Sequence, residues 1–600
     1  MQCPNCGAQL EGTPKFCYNC GKPTQEAARA APPPAQAAPA APPPAKPKKK
    51  FPRWIIGVVA GLVVLLLACV VIAGGITLAL GLHRTNQAAK MVPDDATVFI
   101  TVSPTLRQLP GLRHWRNLTE GGAILGGIPQ LLGLGGGLAS GDLGDVGGLG
   151  SELDFQEDVL PWIGREVSAA MVQDPQSGDI QWMVFAATRN QRKSDEFVLK
   201  IQDQMRGEGF EFRQTIYRRT EVVEATDGYS TMAFATVNHM VVVASDAETI
   251  RSIISAAGDR DTPTLAQDPA FKQAERDLPR SRLGYIYMSF GPLIEELGYE
   301  LEDTPLEMTL GGLRALESFV LAPQLHKDGL ILNYATHYDT RALPPAQRAR
   351  LRADASSHRL TRVVPEESLI YLSGQNPAAA VEWMQNTEWG YEILDELEYD
   401  LGFNLGDDLV SDMRGEYALV ITRDPDGLFG EGDVPIGGLL YVETDDTRRA
   451  EETLEDLASE MADELEFDFY PDEINRVQVW LLEDPYYDTA LGYGFVKTNL
   501  FIATSRYMLE LAVEGTRLSD NRLFQTTIRQ LPRQSTGYIY IDVQGAIAAL
   551  YREMDDWEQD EFDESIRPYV ESVLSIGIAS KPMTSDGLRE GVLFVHTDAQ

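Results

Sequence analysis

The hydrophobic pattern of the chain changes character once. Residues 54–82 run for twenty-nine positions without a formal charge. An apolar helix needs only about 20 residues to cross a bilayer, so this run is predicted to be a transmembrane helix. Beyond residue 91 the apolar positions fall instead into short strand-like runs and amphipathic stretches. Strands are predicted at 166–172, 182–187, 210–217, 221–225, 232–235 and 240–244, with helices at 194–205, 247–256 and 269–278 before a strand at 284–287. Later the pattern returns, with strands at 416–421, 438–442, 477–482, 492–496 and 500–503 and a helix at 447–465. Consecutive strands joined by short polar turns imply antiparallel sheet, and the expected class is α+β with helices over one face. A Rossmann sheet would need a helix after nearly every strand.

The apolar pattern also repeats in detail. Val92-Pro93-Asp94-Asp95 and its following strand recur as Val364-Pro365-Glu366-Glu367. Leu265-x5-Phe271-x6-Leu278-Pro279-Arg280-x3-Gly284-Tyr285-Ile286-Tyr287 recurs without a gap as Leu518-x5-Phe524-x6-Leu531-Pro532-Arg533-x3-Gly537-Tyr538-Ile539-Tyr540. Asp328-Gly329-Leu330 near the end of one copy matches Asp586-Gly587-Leu588 in the other. The expectation is two tandem related domains with antiparallel sheets flanked by helices, at 92–340 and 364–600. An Arg-rich connector at 341–363, with Arg348, Arg350, Arg352, Arg359 and Arg362, is expected either to dock between the acidic domains as a clamp or to be a solvated helix.

Charge sets the orientation of the span. Lys46, Lys48, Lys49, Lys50 and Arg53 precede it, and only Arg84 and Lys90 follow closely. Basic residues beside a span stay on the cytoplasmic side, so the expected localisation is a single-pass membrane protein with a cytoplasmic N-terminus and extracytoplasmic C-terminal domains. A signal peptide would have a shorter apolar region, nearer the start. Gly57 and Gly61 form a G-x-x-x-G within the span, a candidate homodimer contact. The whole chain carries a net charge of −38; residues 1–90 hold ten basic and two acidic residues, net +8, which leaves −46 for the remainder. That field repels a phosphate backbone, so no nucleic-acid partner is expected at the outer domains.

Four of the five cysteines lie in the first twenty residues and the fifth, Cys69, within the span. Cys3, Cys6, Cys17 and Cys20 form two C-x2-C knuckles ten residues apart, the donor set of a tetrahedral Zn²⁺ site. Four thiolates leave no open position, so the metal is expected to be structural. The segment resembles the short zinc-ribbon family seen at bacterial protein termini. With only Lys15 and Lys22 as basic residues in the ribbon, a protein partner is favoured over nucleic acid. Domain 1–22 would then be the ribbon, and the Ala/Pro-rich basic stretch 23–53 a semi-rigid spacer.

Asp158-Val159-Leu160-Pro161-Trp162-Ile163-Gly164-x-Glu166, the Val-Pro-acidic opening and the Leu278 to Tyr287 block resemble the uncharacterised bacterial family called domain of unknown function 3352. The resemblance covers residues 91–600 and implies the domain plan without any chemistry. In the second copy Asp408 and Glu416 match Asp158 and Glu166, while Ser411-Asp412 replaces Pro161-Trp162.

Catalytic signatures are missing from the linear sequence. The seven histidines show no H-E-x-x-H spacing, no G-x-S-x-G elbow occurs, and no cysteine lies beyond the span. Asp424-Pro425-Asp426-Gly427 with Glu431 and Asp433 offers oxygen ligands to Ca²⁺, although a turn explains it first. The alternating Tyr285/Tyr287 and Tyr538/Tyr540 pairs are expected to pack half-buried. The Gly/Leu-rich stretch 121–150 reads as an inert long loop or an apolar lid. The expected function is therefore non-enzymatic binding or scaffolding through the duplicated outer domain. Alternatives are a carrier or chaperone for an apolar, lipid-like ligand, and an extracytoplasmic enzyme whose site is assembled only in three dimensions.

Overall fold

Strand pairing carries this architecture from one end to the other. The structure, a computed structural model, describes position 9 and residues 86–103, 155–173, 180–259, 261–291, 314–385, 413, 415–425, 427, 435–444, 447–465, 469–483, 490–514, 516–552 and 554–598. The chain divides into units Met1–Val59 and Ala60–Gln600, and every element below belongs to the second. Apart from position 9, the zinc ribbon with Cys3, Cys6, Cys17 and Cys20, the spacer, the 54–82 span with Gly57 and Gly61, and the 121–150 stretch lie outside the described residues. Among the described residues no helix is long and apolar enough to cross a membrane.

The first ten strands are β1 (Val98–Val102), β2 (Ile163–Gln173), β3 (Ile180–Thr188), β4 (Glu211–Tyr217), β5 (Thr220–Thr226), β6 (Thr231–Val237), β7 (Met240–Ala244), β8 (Gly284–Ser289), β9 (Leu316–His326) and β10 (Gly329–Tyr338). The next ten are β11 (Ile370–Gln375), β12 (Glu416–Arg423), β13 (Ile436–Glu443), β14 (Phe469–Ile474), β15 (Val477–Glu483), β16 (Ala490–Val496), β17 (Asn499–Ala503), β18 (Ile539–Asp542), β19 (Val573–Ser580) and β20 (Leu588–Thr597). Helices used below are α1 (Gln191–Gly207), α2 (Ala247–Gly258), α3 (Pro269–Asp277), α4 (Pro345–Leu351), α5 (Pro377–Gln385), α6 (Thr447–Leu465), α7 (Arg506–Val513), α8 (Arg522–Ile528) and α9 (Val543–Tyr551).

All pairings are antiparallel, and they give one order: 4-5-6-7-3-2-1-8-9-10, then 20-19-18-11-12-13-17-16-15-14. The second ten retrace the order of the first in reverse. This corrects the expected fold class of two tandem domains with separate sheets: the described strands form one 20-stranded sheet, because β10 pairs with β20 from Gly329↔His596 to His337↔Leu588. Each half would otherwise end in an open edge of unpaired N–H and C=O groups, and each such edge satisfies the other. The remaining edges are β4 and β14. The first alternates charged Glu211 and Arg213 with other residues, and the second carries Pro471, both of which discourage further pairing.

The helices also depart from the one-face expectation. Ile250 and Ile253 of α2 and Phe271 of α3 pack with Ala233, Ala235 and Val242, whereas Met205 of α1 packs with Phe234 and Val243. Successive strand residues point to opposite faces, so α1 lies across the sheet from α2. In the second half Met508 of α7 and Phe524 of α8 join Leu439, Tyr441 and Phe501, while Ala450 and Leu454 of α6 join Val442 and Leu500. The long helix of each half thus covers the face that the shorter helices leave open.

Local chemistry sets these elements. Asp246, Asp268, Ser505 and Asn521 each accept a backbone N–H three residues on, which caps α2, α3, α7 and α8. Arg218-Arg219, Asn238-His239 and Asn475-Arg476 take positive φ at both positions, the backbone of tight two-residue hairpin turns. In the core, Phe271 meets Tyr287 edge-on at 5.1 Å, and Phe524 meets Tyr540 at 5.0 Å. Tyr285, Tyr287, Tyr538 and Tyr540 are all buried, more deeply than the expected half-burial.

Candidate anion-binding cleft

The Arg-rich connector is anchored by its apolar residues. Leu343 and Leu351 are buried with Ala315 and Met583, and Tyr338 packs against them. Met583 donates its N–H to the Leu351 carbonyl at 2.7 Å, and Arg352 reaches the Ser585 carbonyl at 3.1 Å. This docking orients α4 so that Arg350 enters a cleft of about 220 Å³ where β11, β18, β19 and β20 converge. Arg589 of β20 lines the same cleft, with Gln375 and Tyr417. No Asp or Glu is among its described lining residues.

The glycines at its floor are sterically required. A Cβ at Gly374 would strike the Tyr417 ring, and one at Gly537 would strike the Ser373 carbonyl oxygen. Ser373 also accepts the Tyr538 N–H on its hydroxyl at 2.9 Å, which ties β11 to β18 at the cleft wall. Burial holds the Arg350 guanidinium below its ordinary pKa, the like charge of Arg589 adds to that, and Tyr417 and Tyr338 oppose it. The Tyr338 hydroxyl is pushed up by burial, against the pull of Arg589 and Arg350. The Nε of Arg589 is buried without a hydrogen-bond partner among the described residues. Two arginine side chains thus line one cleft, and guanidinium forks match the geometry of oxyanions.

A second cleft of about 230 Å³ borders the β10–β20 seam and includes Asp277, Tyr334, Lys581 and Glu590. Lys581 and Glu590 neutralise each other there at 2.9 Å. Close by, Asp277 Oδ2 lies 3.0 Å from His337 Nε2, and His337 Nδ1 lies 3.2 Å from Ser318 Oγ. The three residue types are those of a nucleophile triad, which linear spacing did not reveal. A nucleophile must reach substrate, yet Ser318 is 1% exposed in β9, flanked by β8 and β10. The arrangement is a cross-strand pair that fastens the end of α3 to β10.

The profile of the family described as protein of unknown function (DUF3352) matches residues 55–597. The chain belongs to this family. No curated protein matches it. Among solved structures, crystal form I of TP0453 is similar at 11% identity, covering 42% of this chain and 77% of that one with a TM-score of 0.23. Crystal form III of TP0453 is similar at 10% identity, covering 42% and 79%, with a TM-score of 0.22.

In this DUF3352 chain the two glutamates singled out by sequence perform the same local task. Glu166 accepts the backbone N–H groups of Gln87 and Ala88, both at 2.9 Å. Glu416 accepts those of Arg359 and Leu360 at 2.8 and 3.2 Å, with Ser356 and Ser357 hydroxyls at 2.8 and 2.6 Å. In each case the carboxylate caps a short 3-10 turn just before the Val-Pro segment, where the first N–H groups have no helical partner. Burial raises the Glu416 pKa, but the four hydrogen bonds together outweigh it and the net shift is downward. Asp158 instead pairs with Lys200 at 2.6 Å, and Trp162 packs on Phe197 at a ring distance of 5.1 Å.

The other sequence candidates are placed as follows. Asp424 is buried and accepts the Ser505 hydroxyl; Asp426, Glu431 and Asp433 lie outside the described residues. Among the described residues no three His, Cys, Asp or Glu side chains gather as a metal site. Arg350 fell within the sequence-flagged connector. Arg589 had no local signal, because strand pairing and the docking of α4 bring the rest of the cleft to it.

Proposed function

We propose that this DUF3352 protein is a non-enzymatic single-pass membrane protein. Its extracytoplasmic part, two related repeats, binds or scaffolds a partner, and its cytoplasmic zinc ribbon, held by Cys3, Cys6, Cys17 and Cys20, docks another protein. The observation that carries this reading is the retraced strand order joined at β10–β20. Two copies that meet through the same strand make a contact of two-fold character and a broad, rigid platform. Matched features in the two halves support the duplication: Glu166 with Glu416, and the Phe271–Tyr287 with the Phe524–Tyr540 edge contact. The uncharged 54–82 run with its one-sided basic flank supports the topology.

The carrier reading has less support, since the two clefts described above have mostly polar linings. Protease added to intact cells tests the topology: the repeats should be cut while the first twenty residues stay protected. Cleavage of the repeats only after lysis would overturn it. Elemental analysis of the full-length protein should give one zinc per chain, lost when Cys17 and Cys20 are replaced by serine.

A further inference from the structure

We propose that the cleft at the β10–β20 seam binds a single neutral sugar ring. The proposal goes beyond the scaffolding reading and does not depend on the topology. The cleft is built by the repeated Leu-Pro-Arg motif, with Leu278 and Pro279 after α3 from one half and Pro532 after α8 from the other. Its floor is the paired strands themselves. Asn333 stands opposite Val592 and Ala335 opposite Glu590, so all four point to one face of the sheet. That is the face α3 and α8 cover, since Ala335 shares a core cluster with Phe271 and Val592 packs with the cluster of Phe524. At the seam between the two clusters, Asn333 and Glu590 thus put polar groups on a face that is otherwise apolar.

The lining restricts the ligand. Lys581 and Glu590 meet at 2.9 Å, so this pair selects neither a cation nor an anion. Both keep capacity for more, because the ammonium has further N–H donors and the carboxylate further lone pairs. The Asn333 Nδ2 is buried with no hydrogen-bond partner among the described residues, a cost that a ligand oxygen within reach of the amide would remove. Hydroxyl groups both donate and accept, which suits a site that presents an amide, an ammonium and a carboxylate together. The C–H face of a sugar ring is apolar, as are Pro279, Pro532 and Val592 on the cleft lining. At about 230 Å³ the cleft falls below the roughly 300–1,000 Å³ of sites for drug-sized ligands, which limits it to one ring, free or at the end of a glycan.

The test is saturation-transfer NMR of the full-length chain in a sugar-free polyoxyethylene detergent, with D-glucose, N-acetyl-D-glucosamine and chitotriose as probes. Saturable transfer is expected from at least one of them, with affinity weakened about fivefold or more in Asn333→Leu and in Lys581→Ala, the loss of one hydrogen bond each. Arg213→Gln on β4 should bind as the parent does. Preference for a monosaccharide identifies a free sugar, and preference for chitotriose identifies a glycan end. Either preference, or none between them, supports the site. Thermal unfolding checks that each variant folds, and if Asn333→Leu does not, Asn333→Ala takes its place. Absence of saturable transfer from all three probes, or parent-like affinity in the Asn333 variant or in Lys581→Ala, overturns the proposal.

Discussion

The Tyr334 hydroxyl meets the Ser580 hydroxyl at 2.7 Å, joining β10 to β19 across β20. Its ring lies over Gly591, its cross-strand neighbour at the seam, where a Cβ would collide with the ring. The seam between the halves therefore depends on a large residue on one strand and a missing side chain on the next.

Gly591→Ala is expected to cost about 1–3 kcal/mol, the usual range for overpacking a closed site. Tyr334→Ala in the same chain should recover part of that loss, and a double-mutant cycle by denaturant unfolding would measure the coupling. A neutral Gly591→Ala would mean that the seam does not close in this way.

Replacing Glu416 by Gln removes the charge from a carboxylate that accepts two backbone N–H groups and two hydroxyls. The expected loss is about 1.5–3 kcal/mol, because hydrogen bonds to a charged acceptor are the stronger ones. Glu166→Gln should act alike at its own turn, and the two losses should add, since the residues cap separate turns in different halves of the sheet. Chemical denaturation of the single and double variants would check both statements.

Acid should weaken the fold in two stages. Burial holds His358 and His596 below their ordinary pKa near 6.5, so the unfolded chain takes up protons first as pH falls. The stability these groups provide is present above about pH 6.5 and is lost as pH drops through their depressed folded values. Glu416, also held low, adds a second loss below its ordinary value of 4.5. His358 stacks on Tyr538 at 3.9 Å, so His358→Gln should lower the midpoint at pH 7.5 and flatten the first stage. Thermal unfolding from pH 8 to pH 2 would show both; stability that rises between pH 6.5 and pH 5 would contradict the argument.

Phe271 and Phe524 occupy matching places, each edge-on to a buried tyrosine of the adjacent strand. Truncation of either to alanine is expected to cost about 3–5 kcal/mol. Both measurements use equilibrium unfolding, and a cost below 1 kcal/mol in either would show that its cluster collapses around the gap.

Much of the secondary structure was legible locally. The strand at 240–244 and the helix at 447–465 coincide with β7 and α6, because the first is a run of apolar, mostly β-branched residues and the second has a long helical period. Strand β14 was missed, since Pro471, Asp472 and Glu473 dilute its apolar signal at an edge where nothing demands burial. Of the candidate site, Arg350 was visible only as one of several connector arginines, and Arg589 not at all.

By itself the sequence determined the repeated apolar pattern, many of the strands and helices within each half, the uncharged 54–82 run and the four-cysteine spacing. These are short-range properties, readable from period and residue type. Only the tertiary structure decided that the described halves share one sheet, that helices cover both of its faces, and that Arg350 and Arg589 line one cleft. Each of those outcomes rests on strand register and on which face a side chain takes, and both are set by partners hundreds of residues away in the chain.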